Sequence, residues 1–173
     1  MMINDITLNE VLEKLESPPR DVIALPIAHL TSARSFGEII DDEAFKPTRC
    51  AVFERDLLYF SYGGVFHRYG QEPTSEATKL PVAFVFKPTL LEKIDYLFPY
   101  DTGAAYKGLY NNQELCNFDK YQVVNHGGYE LPPKLVYYLY GNNQNYILGE
   151  VVKESAPQIR LIEPALLNEG MNR

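Results

Sequence analysis

Apolar residues recur at helical spacing through residues 6–16, where Ile6, Leu8, Val11, Leu12 and Leu15 fall on one face. The spacing predicts a helix capped by Thr7 or Asn4 and ended by Ser17-Pro18-Pro19, since a residue before proline avoids the α region. In the next segment, DVIALPIAHLT, residues Val22, Ile23, Leu25 and Ile27 predict a buried strand, with Pro26 pointing to an edge or a bulge. A short helix is expected from Ser32 to Ile40, capped by Thr31 or Ser32, with Phe36, Ile39 and Ile40 as its buried stripe. CAVF and DLLYFSYG predict two short extended pieces, the second broken at Gly63-Gly64, and the polar stretch 69–79 predicts a surface loop.

The run LPVAFVFKP is continuously apolar between prolines and predicts a strand central to a sheet. TLLEKIDYLF begins as a helix and turns at Pro99-Tyr100-Asp101-Thr102-Gly103. DKYQVVNHGGY predicts a strand ending at Gly127-Gly128. LPPKLVYYLYG predicts a helix with proline in its first turn and Gly141 past its end. NYILGEVVKE and PQIRLIEP predict further strands, and the residues after Pro164 a loose tail. Elements in this mixed order, without regular βαβ alternation, predict an α+β fold: a mixed, mainly antiparallel, split sheet core with a few short helices. The length of 173 residues fits one domain, with an N-terminal helix and turn (1–19), a core (20–163) and the tail (164–173).

Composition narrows the function classes. The net charge of −7 opposes contact with phosphate backbones, so broad nucleic-acid binding is not expected. No basic, apolar leader opens the chain and no run of about 18 apolar residues spans a membrane, and with two cysteines outside any framework the expectation is a cytoplasmic protein. Three dispersed histidines and no CxxC or HExxH leave no expected metal site. Neither cysteine has a local activating partner in the sequence, and nucleophile-elbow, P-loop and dinucleotide glycine motifs are missing. Thirteen tyrosines stand against no tryptophan, and tyrosine suits half-buried walls of pockets and interfaces.

Candidate chemistry gathers in three places, which are expected to converge. His29 ends the first predicted strand, with Thr31 on the same side by period-2 alternation. A neutral imidazole and a hydroxyl on one face suit a sugar diol, and the nearby helix start favours an anion. The plain alternative is a core histidine satisfied by backbone groups. Tyr59 to Arg68 is the densest polar-aromatic segment, containing Tyr62, Gly63-Gly64, His67 and Arg68, whose forked cation suits phosphate or carboxylate. Its alternative is a plain hairpin. In the Tyr100–Gly103 turn, Asp101 either accepts local N–H bonds or holds His67 or Arg68 in place. His126 reads as a loop residue, while Glu130 and Glu150 follow polar loops, Glu150 on a predicted strand.

His29-Leu-Thr-Ser, followed by a short helix with Phe36-Gly-Glu-Ile-Ile and then Lys46-Pro47, resembles the opening of the ADP-ribosyltransferase superfamily. The specific likeness covers Ile27–Thr48. The later order of Tyr59 or Tyr62, then Glu130 or Glu150, is compatible with that family's His-Tyr-Glu pattern. The resemblance implies NAD as the cofactor and no metal. It implies that His29 and Thr31 hold ribose, that Tyr59 or Tyr62 stacks on nicotinamide, that Arg68 meets the pyrophosphate, and that Glu150 is the acid. On this reading His29, Tyr62 and Glu150 are catalytic, and Thr31, Tyr59, His67, Arg68 and Asp101 bind the cofactor. Separately, LLYFSYGGVFHR and FPYDTGA resemble a family of small bacterial proteins with LLYxxYG and PxDTGA strings, which carries no activity to transfer. The alternative to an enzyme is a non-catalytic module binding a nucleotide-like signal or a protein partner through its tyrosine-rich face. A hydrolase or nuclease with an unrecognised site is the third class.

Overall fold

Helix α1 (Leu8–Lys14) forms where the apolar spacing predicts it, and a reciprocal cap starts it. The Thr7 side chain accepts from the Glu10 amide, and Glu10 accepts in return from the Thr7 amide at 2.9 Å. The computed structural model describes residues 6–64, 75–110, 113–125 and 128–149. Within them the protein is α+β, with antiparallel strand pairs and short helices. The chain packs as two compact units, 25–88 forming one, and 1–24 with 89–173 the other.

In the unit built from both chain ends, Leu8, Val11, Leu12 and Leu15 of the α1 region pack with Ala105, Leu115, Tyr121, Val123 and Leu139. The contributing elements are strand β6 (Tyr96–Leu97), helices α3 (Thr102–Tyr106) and α4 (Phe118–Tyr121), strand β7 (Val123–Val124), and helices α5 (Leu131–Tyr140) and α6 (Asn143–Leu148). β6 and β7 pair antiparallel, Tyr96 opposite Val124. Next to this pair the buried Asn125 donates to the carbonyls of Leu91 (2.5 Å) and Ile94 (3.0 Å), satisfying the end of a 3-10 turn over Pro88–Lys93. That turn replaces the helix expected at TLLEKIDYLF. DKYQVVN is likewise split between α4 and β7 rather than forming one strand.

NYIL is helical in α6 instead of extended. Asn142 caps it by accepting from the Asn145 amide at 2.8 Å, and Gly149 ends it in a left-handed conformation that suits glycine. Local capping here outweighs the strand propensity of Tyr146 and Ile147. The expected strand PQIRLIEP and the expected tail lie outside the described residues.

In the other unit, strand β1 (Ile27–Ser32) lies between β4 (Ser61–Tyr62) and β5 (Pro81–Phe86), all antiparallel. β1 is central, and Pro26 stands before it rather than in an edge strand. β5, expected to be central, pairs only with β1 among the described residues. Its residues alternate exposed and half-buried along PVAFVF, as in a strand covered on one face. Helix α2 (Ala33–Asp42) is capped by Ser32, but its stripe is not buried: Phe36 and Ile40 are 38% and 54% exposed. α2 meets the sheet at Phe36, whose ring lies 5.4 Å from that of Phe84. β2 (Thr48–Cys50) and β3 (Arg55–Leu57) form a tight hairpin.

The most demanding polar burial in the first unit is Lys134 of α5, only 8% exposed. Its ammonium donates to the carbonyls of Leu12 (3.1 Å) and Leu15 (2.9 Å), at the end of α1 where helix carbonyls carry partial negative charge. Lys134→Met removes both charge-assisted bonds while keeping the apolar stem. It is expected to lower unfolding free energy by roughly 1–3 kcal/mol, measured by urea denaturation.

Candidate functional site

The β1–β5 register puts His29 opposite Phe84 and Thr31 opposite Val82, while Ile27 faces both Phe86 and Tyr62 on its two sides. Directly paired residues share a sheet face, and so do residues two apart along one strand. Thr31, His29 and Tyr62 therefore occupy one face of the sheet. Of the residues expected to form the site, these three share that face, and Tyr59 reaches His29 through its main-chain carbonyl.

The face is lined with phenylalanine. The His29 imidazole meets Phe45 edge-on at 5.2 Å and Phe60 at 5.6 Å. Phe45 in turn lies 4.9 Å from Phe84 and 5.5 Å from Phe86. Phe45 follows α2, and Phe60 sits in the link between β3 and β4. Neither stands out in sequence as a site residue, because a lone phenylalanine in a loop carries no periodic signal.

His29 Nδ1 lies 2.8 Å from the main-chain carbonyl of Tyr59. A carbonyl only accepts, so Nδ1 carries the proton, and in the neutral ring Nε2 is left as an acceptor. This is the backbone-satisfied histidine of the plain reading on one side of the ring, and a fixed acceptor on the other. The Tyr62 hydroxyl is engaged as well, accepting from the Leu25 amide at 2.9 Å. Burial pushes the Tyr62 phenol up to about 12, and the Leu25 bond offsets only part of this. Beyond Tyr62 the chain turns at Gly63, whose φ of 75° suits glycine and whose amide donates to the Pro26 carbonyl at 2.8 Å.

Tyr59 is 48% exposed, and its hydroxyl lies 2.7 Å from the sulfur of Cys50. Cys50, the last residue of β2, is buried. Burial raises its thiol, but the Tyr59 hydroxyl, the Phe53 and Val52 amides and the charge of Arg55 together hold it below the ordinary thiol range. The sequence assigns this cysteine no activating partner. Its partners come from a hairpin turn, where Glu54 has a left-handed φ of 52°, and from a tyrosine nine positions on, so only folding assembles them.

The remaining candidates belong to the other unit or fall outside the described residues. Asp101 belongs to the other unit and caps α3, accepting from the amides of Gly103 (2.8 Å) and Ala104 (3.1 Å). Tyr100, also there, donates to the Leu115 carbonyl and packs on Tyr121 at 5.5 Å. Glu130 is exposed at the start of α5. His67, Arg68, His126 and Glu150 lie outside the described residues. Among the described residues no three His, Cys, Asp or Glu side chains are grouped to hold a metal ion, and no helix is long and apolar enough to cross a membrane. Comparison with family models, curated proteins and solved structures returns no match.

The raised phenol of Tyr62 gives a pH signature. Free tyrosine ionises near 10, so between pH ~10 and ~12 the unfolded chain releases this proton while the folded chain keeps it, and stability falls across that window. Melting temperature measured against pH is expected to fall less steeply over that range in Tyr62→Phe than in the parent protein.

Proposed function

We propose that the unit containing β1 is an ADP-ribosyltransferase-like domain that binds NAD across the His29 face of its sheet and moves ADP-ribose to an acceptor. The observation that carries this reading is the tautomer set on His29. With Nδ1–H donated to the Tyr59 carbonyl, Nε2 is an acceptor suited to a ribose hydroxyl. Thr31, on the same face, adds a hydroxyl that both donates and accepts, and Tyr62 adds an aromatic surface for nicotinamide.

In such a reaction the bond from ribose C1′ to the nicotinamide nitrogen breaks, its electron pair leaves with nicotinamide, and an acceptor bonds to C1′ and gives up a proton. The domain's share is to hold the ribose and to stabilise the positive charge that develops on it. His29 and Thr31 orient the sugar. Arg68 is assigned to the pyrophosphate on the sequence likeness. His67 is assigned to the cofactor on the same ground.

A second reading has its own support. Tyr59, Phe36 and Ile40 are exposed on this unit, as expected for a non-catalytic module that docks a protein partner.

Thermal melts distinguish the two. Millimolar NAD is expected to raise the melting temperature, since a ligand of the folded state stabilises it by mass action. His29→Ala is expected to remove the rise. A parent protein whose melting temperature is unmoved by NAD rules out the first reading and leaves the second.

A further inference from the structure

We propose that Cys50 is a positioning residue for His29, acting through Tyr59, whose hydroxyl the sulfur holds and whose carbonyl holds the imidazole. The inference rests on the NAD reading for its functional consequence, though not for its geometry. Two distances define the link: Cys50 Sγ to Tyr59 Oη at 2.7 Å, and Tyr59 O to His29 Nδ1 at 2.8 Å.

The base of this link is held by pairing. Cys50 lies opposite Arg55 in the β2–β3 hairpin and is buried. Tyr59 lies between β3 and β4, in residues 58–60 that belong to neither strand. A segment outside the strand ladders takes part of its orientation from side-chain anchors, and the Cys50–Tyr59 contact is one of them. Anchoring the far end of the tyrosine fixes its ring, and with the ring the main chain that presents the carbonyl to His29. The 2.7 Å contact between the Cys50 sulfur and the Tyr59 hydroxyl is a hydrogen bond in which either group can donate. Cys50 touches no ligand in this scheme. Its role is to keep Nδ1 the protonated nitrogen of His29, and Nε2 the acceptor.

Nitrogen-15 NMR of the histidine rings reads the tautomer directly, with or without NAD. The variants are Cys50→Ala, which deletes the sulfur, Tyr59→Phe, which deletes the hydroxyl almost isosterically, and Cys50→Ser, which restores a hydrogen-bonding group. In the parent protein His29 is expected as the Nδ1–H tautomer. Cys50→Ala and Tyr59→Phe are expected to give a mixture of tautomers and to weaken NAD about tenfold, the scale on which groups that orient a histidine ligand act. Cys50→Ser is expected to recover most of the parent spectrum. Should Cys50→Ala fail to fold, Tyr59→Phe carries the test alone. An unchanged Nδ1–H signal in folded Tyr59→Phe overturns the link, whether or not NAD binds. A tautomer shift in a protein that does not bind NAD keeps the link and overturns the NAD reading instead.

Discussion

The antiparallel register between IAHLTS and PVAFVF is the constraint on which the candidate site depends. Six consecutive pairs, from Ile27 with Phe86 to Ser32 with Pro81, determine which side chains share a face. Because side chains alternate along a strand, a slip of one residue would turn His29 and Thr31 to the opposite side. The aromatic rings secure the register. Phe84 and Phe86 meet Phe45 in this pairing, and Phe45 and Phe60 close on the imidazole of His29. The hydrophobic packing around this small sheet is thus the same packing that surrounds the His29 imidazole.

The unit formed by the two chain ends solves a different problem. Its core is assembled from short elements, and each short helix or turn leaves carbonyls or amides without partners. Side chains distant in sequence supply many of them. Lys134 serves the end of α1, Asn125 serves the Pro88–Lys93 turn, Tyr100 serves Leu115, and Asn9 accepts from the amide of Val124 at 3.3 Å. Polar side chains of this unit thus hold its main-chain groups. Asp101 is one of them. Placed before Thr102-Gly103, its carboxylate is occupied with two amides of the helix it starts.

Around His29, structural and chemical roles overlap. The Tyr59 carbonyl accepts from Nδ1 of the half-buried imidazole, and in doing so leaves Nε2 as the other polar atom of the neutral ring. Tyr62 shows the same overlap, its hydroxyl tied to Leu25 and its phenol held protonated by burial. Groups held this firmly suit a preorganised site, in which binding does not have to order the side chains first.

Local rules made several elements legible in the sequence. Helical spacing and the Thr7–Glu10 box mark α1, Ser32 marks the start of α2, and Pro132 with Gly141 brackets α5. Period-2 alternation also places His29 and Thr31 together. These signals act over three or four residues, within reach of neighbouring side chains. What they do not contain is strand order. Pro26 pointed to an edge or a bulge for a strand that has β4 and β5 on its two sides, because a strand's neighbours are chosen by contacts dozens of residues apart. The same reason hid Cys50 and Phe45, ordinary residues locally, which acquire their partners from Tyr59 and from β5. Sequence alone determined where segments begin, end and alternate. Only the tertiary structure decided which faces meet, since register and side-chain pairing are long-range packing choices that no short window of residues encodes.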